Sequence, residues 1–541
     1  GPAMDLWLTK QCDYMLAYEA DAYNALRPIA YTNWPTLDPL VHPTEASPSE
    51  EARWRQRAGR PSQSKKLEYE NDGIALDANL VRPTEANPAG WFATYHAYPY
   101  YPDFMNLDPG YREARSPEGP SAYFGYLRAL VSHHAGIPTI VAEYGVPSSR
   151  GMAHRQMQGW NHGGHNERAM AAIDARLTRE IHASGAAGAI VFAWLDEWFK
   201  KNWIVIDYEL PGDHTPRWHN MMDAEQNYGI LGQYAGEGRT TPRLGGDPTR
   251  WRVLSLLQHG AGTGQAGLRT LRAGGDESYL YLAVELKART FPWGSEGLQL
   301  ALDTHLPAVG QHRLPRTGIR SDLGFEFLID LAAPDSASIR VTPEYNRHTP
   351  SPDSRTGDDA GSFARRPVIA ANRQDGRFDS LLVVTNRARF GRDGTFFRAQ
   401  VHDRGRLRYA TETASTLADW YLDERAGLLE LRVPWDLLNV TDPSTRTVLA
   451  DRATTGDFGT AETAGFHVGV VAYRKERGGG TVTGTLPDLD EGAWPTDRFQ
   501  VWRWPTWTEP RSHARLKPVY DSLRALWRPA AATGRPGRPA P

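Results

Sequence analysis

A carboxylate that closes a short apolar run is the chemically most suggestive feature of this chain. The stretch reads Pro138-Thr139-Ile140-Val141-Ala142-Glu143-Tyr144-Gly145-Val146-Pro147. The apolar run is too short for a helix and predicts a buried strand through Ile140–Ala142. Gly145 and Pro147 then turn the chain away, which leaves Glu143 at the strand's C-terminal end. In a sheet of parallel strands that end is where ligands gather and catalysis occurs. A carboxylate placed there is a candidate nucleophile or acid/base for sugar chemistry.

Polar and aromatic side chains recur at the ends of three other apolar runs. Asn33 and Trp34 follow Pro28–Thr32, His96 and Tyr98 follow Trp91–Tyr95, and Trp194, Asp196 and Glu197 follow Ala189–Ala193. Tyr98 and His96 can donate to a carboxylate and keep it ionised. Flat indoles such as Trp34 and Trp194 suit the C–H faces of sugars, although such rings also fill cores. Asp196 and Glu197 are candidates for binding hydroxyl groups or for supplying an acid, with capping or ion pairing as the alternative. His154, His162, His165 and Glu167 lie close in sequence, but around a Gly163-Gly164 pair and without helical zinc-site spacing. No metal is expected there, and no cofactor is expected in the chain. His133 and His134 close a helix, where a cation suits the dipole.

The elements that must hold these groups follow from periodicity. A first helix carries Leu8, Cys12 and Met15 as its apolar stripe and closes before Arg27-Pro28. An irregular excursion spans roughly residues 35–88. Phe124, Leu127, Leu130 and Val131 mark a second helix, and Met170, Ile173, Leu177 and Ile181 a third. Four strands alternating with helices predict a parallel sheet of βα units. From about Trp251 the pattern changes to many short runs, such as Tyr279–Leu286, Leu298–Asp303 and Leu428–Val433, separated by turn residues. These predict an all-β sandwich over 241–510. A short amphipathic segment (Leu516, Val519, Tyr520, Leu523, Leu526, Trp527) and a disordered Pro/Ala/Gly/Arg tail fill 511–541. Trp494, Trp502, Trp504 and Trp507 are expected to join the sandwich to the first part.

Composition narrows the function. At 541 residues the chain has room for more than one domain, and its net charge of −3 argues against general affinity for nucleic acid. A single cysteine, Cys12, excludes an internal disulfide and a cysteine-based metal cluster. No run is apolar and long enough to span a membrane.

With these motifs quoted, the first half resembles the C-terminal half of a clan A retaining glycoside hydrolase barrel, as in families 2 and 5. It resembles in particular glycoside hydrolase family 2 TIM-barrel proteins. The matching residues are Arg27-Pro28 through Thr32-Asn33-Trp34, Asp38-Pro39-Leu40, His42-Pro43, Tyr95–Phe104, Ala142–Gly151 and Phe192–Lys200. The resemblance covers residues 3–235. It implies that Glu143 closes strand seven as nucleophile, and that His96 and Tyr98 close strand six and orient it. It further implies that Trp194, at the end of strand eight, is a sugar platform and that Asn33 and Trp34 close strand five. Strands one to four, and the acid/base with them, would then precede Gly1. The second half resembles a family 9-like carbohydrate-binding module through Asp276–Leu282, Leu302-Asp303-Thr304 and Glu430–Trp435.

The resulting expectation for 1–240 is the second half of a (β/α)8 barrel, inactive by itself and prone to self-association. It should act on an oligo- or polysaccharide as part of a secreted or cell-surface protein. The alternatives are a non-catalytic sugar-binding protein on the same frame, and a transglycosidase.

Overall fold

The structure is a computed structural model that describes residues 2–60, 75–206, 208–238, 240–260, 262, 267–287, 289–347, 374–411, 416–450 and 459–533. It combines helices and strands in a mixed α/β fold whose C-terminal part is rich in antiparallel sheet.

The first half is organised on a four-stranded parallel sheet made of β1 (Thr32–Asn33), β2 (Ala93–His96), β3 (Thr139–Tyr144) and β4 (Gly188–Val191), in the order β1-β2-β3-β4. Helix α2 (Ala122–His133) joins β2 to β3, and α3 (Glu167–Ala183) joins β3 to β4. Ser121 caps α2 by accepting from Phe124 N, and Asn166 caps α3 by accepting from Ala169 N. Phe124, Leu127 and Leu130 of α2 are buried, as are Met170, Leu177 and Ile181 of α3. The 3.6-residue period therefore delivers the apolar stripes it predicts.

Helix α1 (Pro2–Tyr23) departs from its expected stripe. Its covered row runs through Asp5, Leu8, Cys12 and Leu16, whereas Met15 is 56% exposed. The irregular excursion also contains a helix, Pro48–Arg57, started by a reciprocal capping box between Ser47 and Glu50.

In the C-terminal part, one antiparallel sheet orders Ser255–His259, Leu268–Gly275, Tyr279–Leu286, Leu428–Pro434 and Trp420–Asp423. A second orders Asp379–Ser380, Ser336–Val341, Phe327–Ala333, Glu296–Asp303, His467–Glu476 and Gly479–Leu486. Alternate side chains of both sheets meet in one apolar core, with Leu280, Leu282 and Val284 from the first and Leu298, Leu300 and Leu302 from the second. Trp502 and Trp504 stack with Trp435 inside that core, and Trp494 lies in an adjoining cluster with Phe325 and Phe499. These three indoles thus fill the β-rich part itself. Only Trp507 of the expected four bridges outward, donating Nε1 to Arg217 O at 2.7 Å.

Buried ion pairs connect the two parts. Arg150 Nε lies 2.5 Å from Asp419 Oδ1, and Arg389 Nη2 lies 3.2 Å from Asp103 Oδ2. The last segment returns to the first part. There β6 (Ser512–Leu516) pairs antiparallel with β5 (Leu231–Ala235). Helix α4 (Val519–Thr533) then inserts Val519 and Leu523 into the same core as Met170 and Leu177. The chain beyond Thr533, where a disordered tail is expected, lies outside the described residues. Among the described residues no helix is long and apolar enough to cross a membrane.

Candidate functional site

Parallel pairing sets His96 directly opposite Glu143, at the C-terminal ends of β2 and β3. The sheet register shifts between Tyr95 and His96. His96 Nδ1 lies 3.1 Å from Glu143 Oε2, and the Tyr98 hydroxyl donates to the same oxygen at 2.8 Å. Among the described residues no hydrogen bond reaches Oε1, so one oxygen is anchored and the other is available for attack. The carboxylate is a quarter exposed, open enough to meet a ligand.

Tyr98 is held by rings on several sides. Its centroid is 5.5 Å from Tyr100, 5.9 Å from Tyr228 and 6.5 Å from Phe192. Burial, with the neighbouring Tyr100 and Glu143, pushes its phenol far above the ordinary tyrosine value. It therefore remains a proton donor to Glu143 across the working pH range. The hydroxyls of Tyr100 and Tyr228 are hydrogen-bonded to each other. His162 stacks flat on Tyr100 at 4.5 Å, and its Nε2 lies 3.1 Å from Glu225 Oε1. Burial pushes Glu225 up, but His162 and Lys200 outweigh it, so this carboxyl titrates below its ordinary value. Glu225 opens a single 3-10 turn, Glu225–Asn227, that Tyr228 closes, and nothing in the local sequence singles them out.

Trp34 approaches His96 edge-on at 5.3 Å and is 45% exposed, so one face of its indole is open beside the carboxylate's partner. Trp194, just beyond β4, is 57% exposed. Its neighbour Phe192 is the ring that meets Tyr98. The structure thus brings together Glu143, His96, Tyr98 and Trp34, while Trp194 follows Phe192, the ring that meets Tyr98, by two residues.

Three other predicted site residues are committed elsewhere. Asn33 is buried and its amide holds backbone, donating to Leu37 O at 3.2 Å and Leu76 O at 3.1 Å and accepting from Trp34 N at 2.8 Å. It positions Trp34 and leaves no amide group for a ligand. Asp196 is buried and receives Lys517 Nζ at 2.7 Å, Gly229 N at 2.8 Å and Gln233 N at 3.0 Å. Glu197 pairs with Lys200 at 3.1 Å, and Lys200 in turn lies over the Phe192 ring at 4.0 Å. The suggestive His154–Glu167 stretch is dispersed. His154 meets Asp103, His162 meets Glu225, His165 meets Asn161 O and Glu167 meets Arg515.

Chemically, the assembly is a carboxylate hydrogen-bonded through one oxygen, with the exposed indole of Trp34 next to its histidine neighbour. It can attack an electrophilic carbon or bind a polyol. Comparison with protein-family models and with curated proteins finds no match to this chain.

Proposed function

We propose that the chain is part of a retaining glycoside hydrolase in which Glu143 is the nucleophile. The observation that carries this is the hydrogen bond from Tyr98 to Glu143 Oε2, with His96 Nδ1 3.1 Å away, at the C-terminal end of an inner parallel strand. Attack by Oε1 on an anomeric carbon forms a glycosyl ester and expels the leaving oxygen. Tyr98 holds the carboxylate through its hydrogen bond, His96 lies beside the same oxygen, and Trp34 and Trp194 offer faces on which a pyranose can stack.

Support for a barrel comes from strand order. Sequential neighbours joined by helices are what half of a (β/α)8 ring requires. Ile190, on the edge strand β4, is 58% exposed, as an edge awaiting a neighbouring strand would be. Trp7, Tyr14 and Tyr18 on α1 are exposed as well. A retaining mechanism also needs a second carboxyl group about 5–5.5 Å away to protonate the leaving oxygen. In this proposal the other half of the ring carries it. The two sheets that share one core support a β-sandwich accessory domain beside the barrel. The substrate is an oligo- or polysaccharide.

The test uses aryl glycosides with dinitrophenolate leaving groups, which depart without protonation and so need no acid catalyst. Inactive on ordinary glycosides for want of the acid/base, the chain should still release dinitrophenol in a burst of one equivalent, and Glu143→Gln should abolish the burst. A burst that survives Glu143→Gln overturns the proposal. Binding of oligosaccharide without any burst favours a non-catalytic sugar-binding protein instead.

A further inference from the structure

At the opposite end of the parallel sheet from Glu143, two histidines and a carboxylate converge. Asp77 opens the short turn Ala78–Leu80, its Oδ1 accepting from Asn79 N at 3.0 Å. Its Oδ2 lies 3.1 Å from Nε2 of His133, the last residue of α2. His134 follows as the helix C-cap, its ring 4.9 Å from that of His133. One ligand atom from each of Asp77, His133 and His134 falls within 4.8 Å of the other two.

Charge and hydrogen bonding around the cluster also point to a cation. Asp5 of α1 is buried beside it, with Oδ1 accepting from Tyr31 Oη at 2.9 Å and from Asp77 N at 3.3 Å. Its second oxygen, Oδ2, is buried with no hydrogen-bond partner among the described residues. Asp5 thus reaches the backbone of Asp77, and among the described residues neither carboxylate pairs with a lysine or arginine. Negative charge next to the cluster lowers the cost of holding a cation there.

We propose that Asp77, His133 and His134 form a binding site for a divalent first-row transition metal, zinc being the ion that two imidazoles and one carboxylate suit best. His134 supplies Nδ1, which now faces Asn79 Oδ1 at 2.9 Å, while its Nε2 is 2.8 Å from the Tyr95 hydroxyl. That hydroxyl can donate to Nε2 or accept from it, so it supports either tautomer and fixes the ring plane as an outer-shell partner. Asn79 Oδ1 or a water completes the coordination. Donors around zinc sit roughly 3.3–3.6 Å apart for bonds of about 2.0–2.2 Å. The required closure is thus about an ångström, within reach of His133 and Asp77, whose side chains are partly exposed. The site joins the turn after Asp77 to the end of α2, next to the start of β3. Its role is to brace the sheet, and it takes no part in chemistry at Glu143.

The test is calorimetric titration of the chelator-stripped full chain with zinc, alongside His133→Ala and Asp77→Asn. The parent should bind one equivalent that each variant loses or binds at least thirtyfold more weakly. Zinc should raise the melting temperature of the parent only. Both variants should melt like the parent in chelator, because both side chains are partly exposed. Should either variant misfold, cobalt substitution of the parent decides by itself, since a site of this kind gives the intense visible absorption of four-coordinate cobalt. Identical zinc isotherms for parent and variants, or a parent without that absorption, overturn the proposal. Neither result depends on the glycosidase proposal.

Discussion

The Tyr98 hydroxyl meets Glu143 Oε2 at 2.8 Å, joining the loop after β2 to the end of β3. The contact is charge-assisted, and the tyrosine is wedged among Tyr100, Phe192 and Tyr228, so the carboxylate is held by a rigid donor. Tyr98→Phe keeps the ring packing and removes only the donor. A hydrogen bond to a charged group contributes roughly 1.5–3 kcal/mol. The rate of glycosyl-ester formation should therefore fall roughly ten- to hundredfold while the melting temperature stays near that of the parent. Single-turnover kinetics on an activated glycoside measures it.

Trp34 and Trp194 are exposed enough that truncation should spare the fold. Trp34→Ala and Trp194→Ala should each weaken saccharide binding roughly tenfold, in line with the energy of one aromatic contact. Titration of oligosaccharide by calorimetry checks this, and unchanged thermal unfolding confirms that the loss is local.

The contact between Lys517 and Asp196 spans 321 positions in sequence, and both side chains are buried. Removing one partner from a buried pair costs about 3–5 kcal/mol, because the other charge is left uncompensated. Lys517→Met should destabilise the first part by that order and loosen β6 and α4. The double variant Lys517→Met with Asp196→Asn should recover a share of it. Urea denaturation of the single and double variants gives the coupling.

Much of the first half was legible because its signals are local. The β3 run is bounded by Pro138 and Gly145, and the periodic stripes of α2 and α3 name their own buried faces. The positions of Glu143, His96 and Tyr98 at strand ends are legible because strand ends can be read one strand at a time, and their proximity follows from the parallel pairing. The helix Pro48–Arg57 was missed although Ser47 and Glu50 spell its capping box, because the Pro- and Arg-rich flanks read as loop. What local sequence does not carry is long-range partnership. Asp196 and Asn33 looked like site residues by position, yet Lys517 in one case and backbone in the other take their polar groups. The same holds for the tryptophans near the C-terminal end, whose partners Trp435 and Phe325 lie far away in sequence.

Stability should depend on pH through buried histidines of opposite sense. Burial depresses His219 to about 3, despite its bond with Asn227, and His165 to about 4. The unfolded chain binds those protons first, so between pH 6.5 and 4 each histidine removes up to about 1.4 kcal/mol of stability per pH unit. Burial also opposes the charge on His42, but Asp108 and Asp38 raise it to about 10. Its contribution is complete below pH 6.5 and declines as pH rises toward 10. Melting temperature should thus fall on both sides of neutrality, and His219→Asn should flatten the acid side alone.

The most direct test of the central claim is covalent trapping with a 2-deoxy-2-fluoroglycoside bearing a dinitrophenolate leaving group, read by intact mass and peptide mapping. The account predicts a mass increase of one fluorosugar, located on Glu143, lost in Glu143→Gln and retained in Glu197→Gln. A label on another carboxylate, a label that survives Glu143→Gln, or no label across gluco-, galacto- and manno-configured reagents would contradict it.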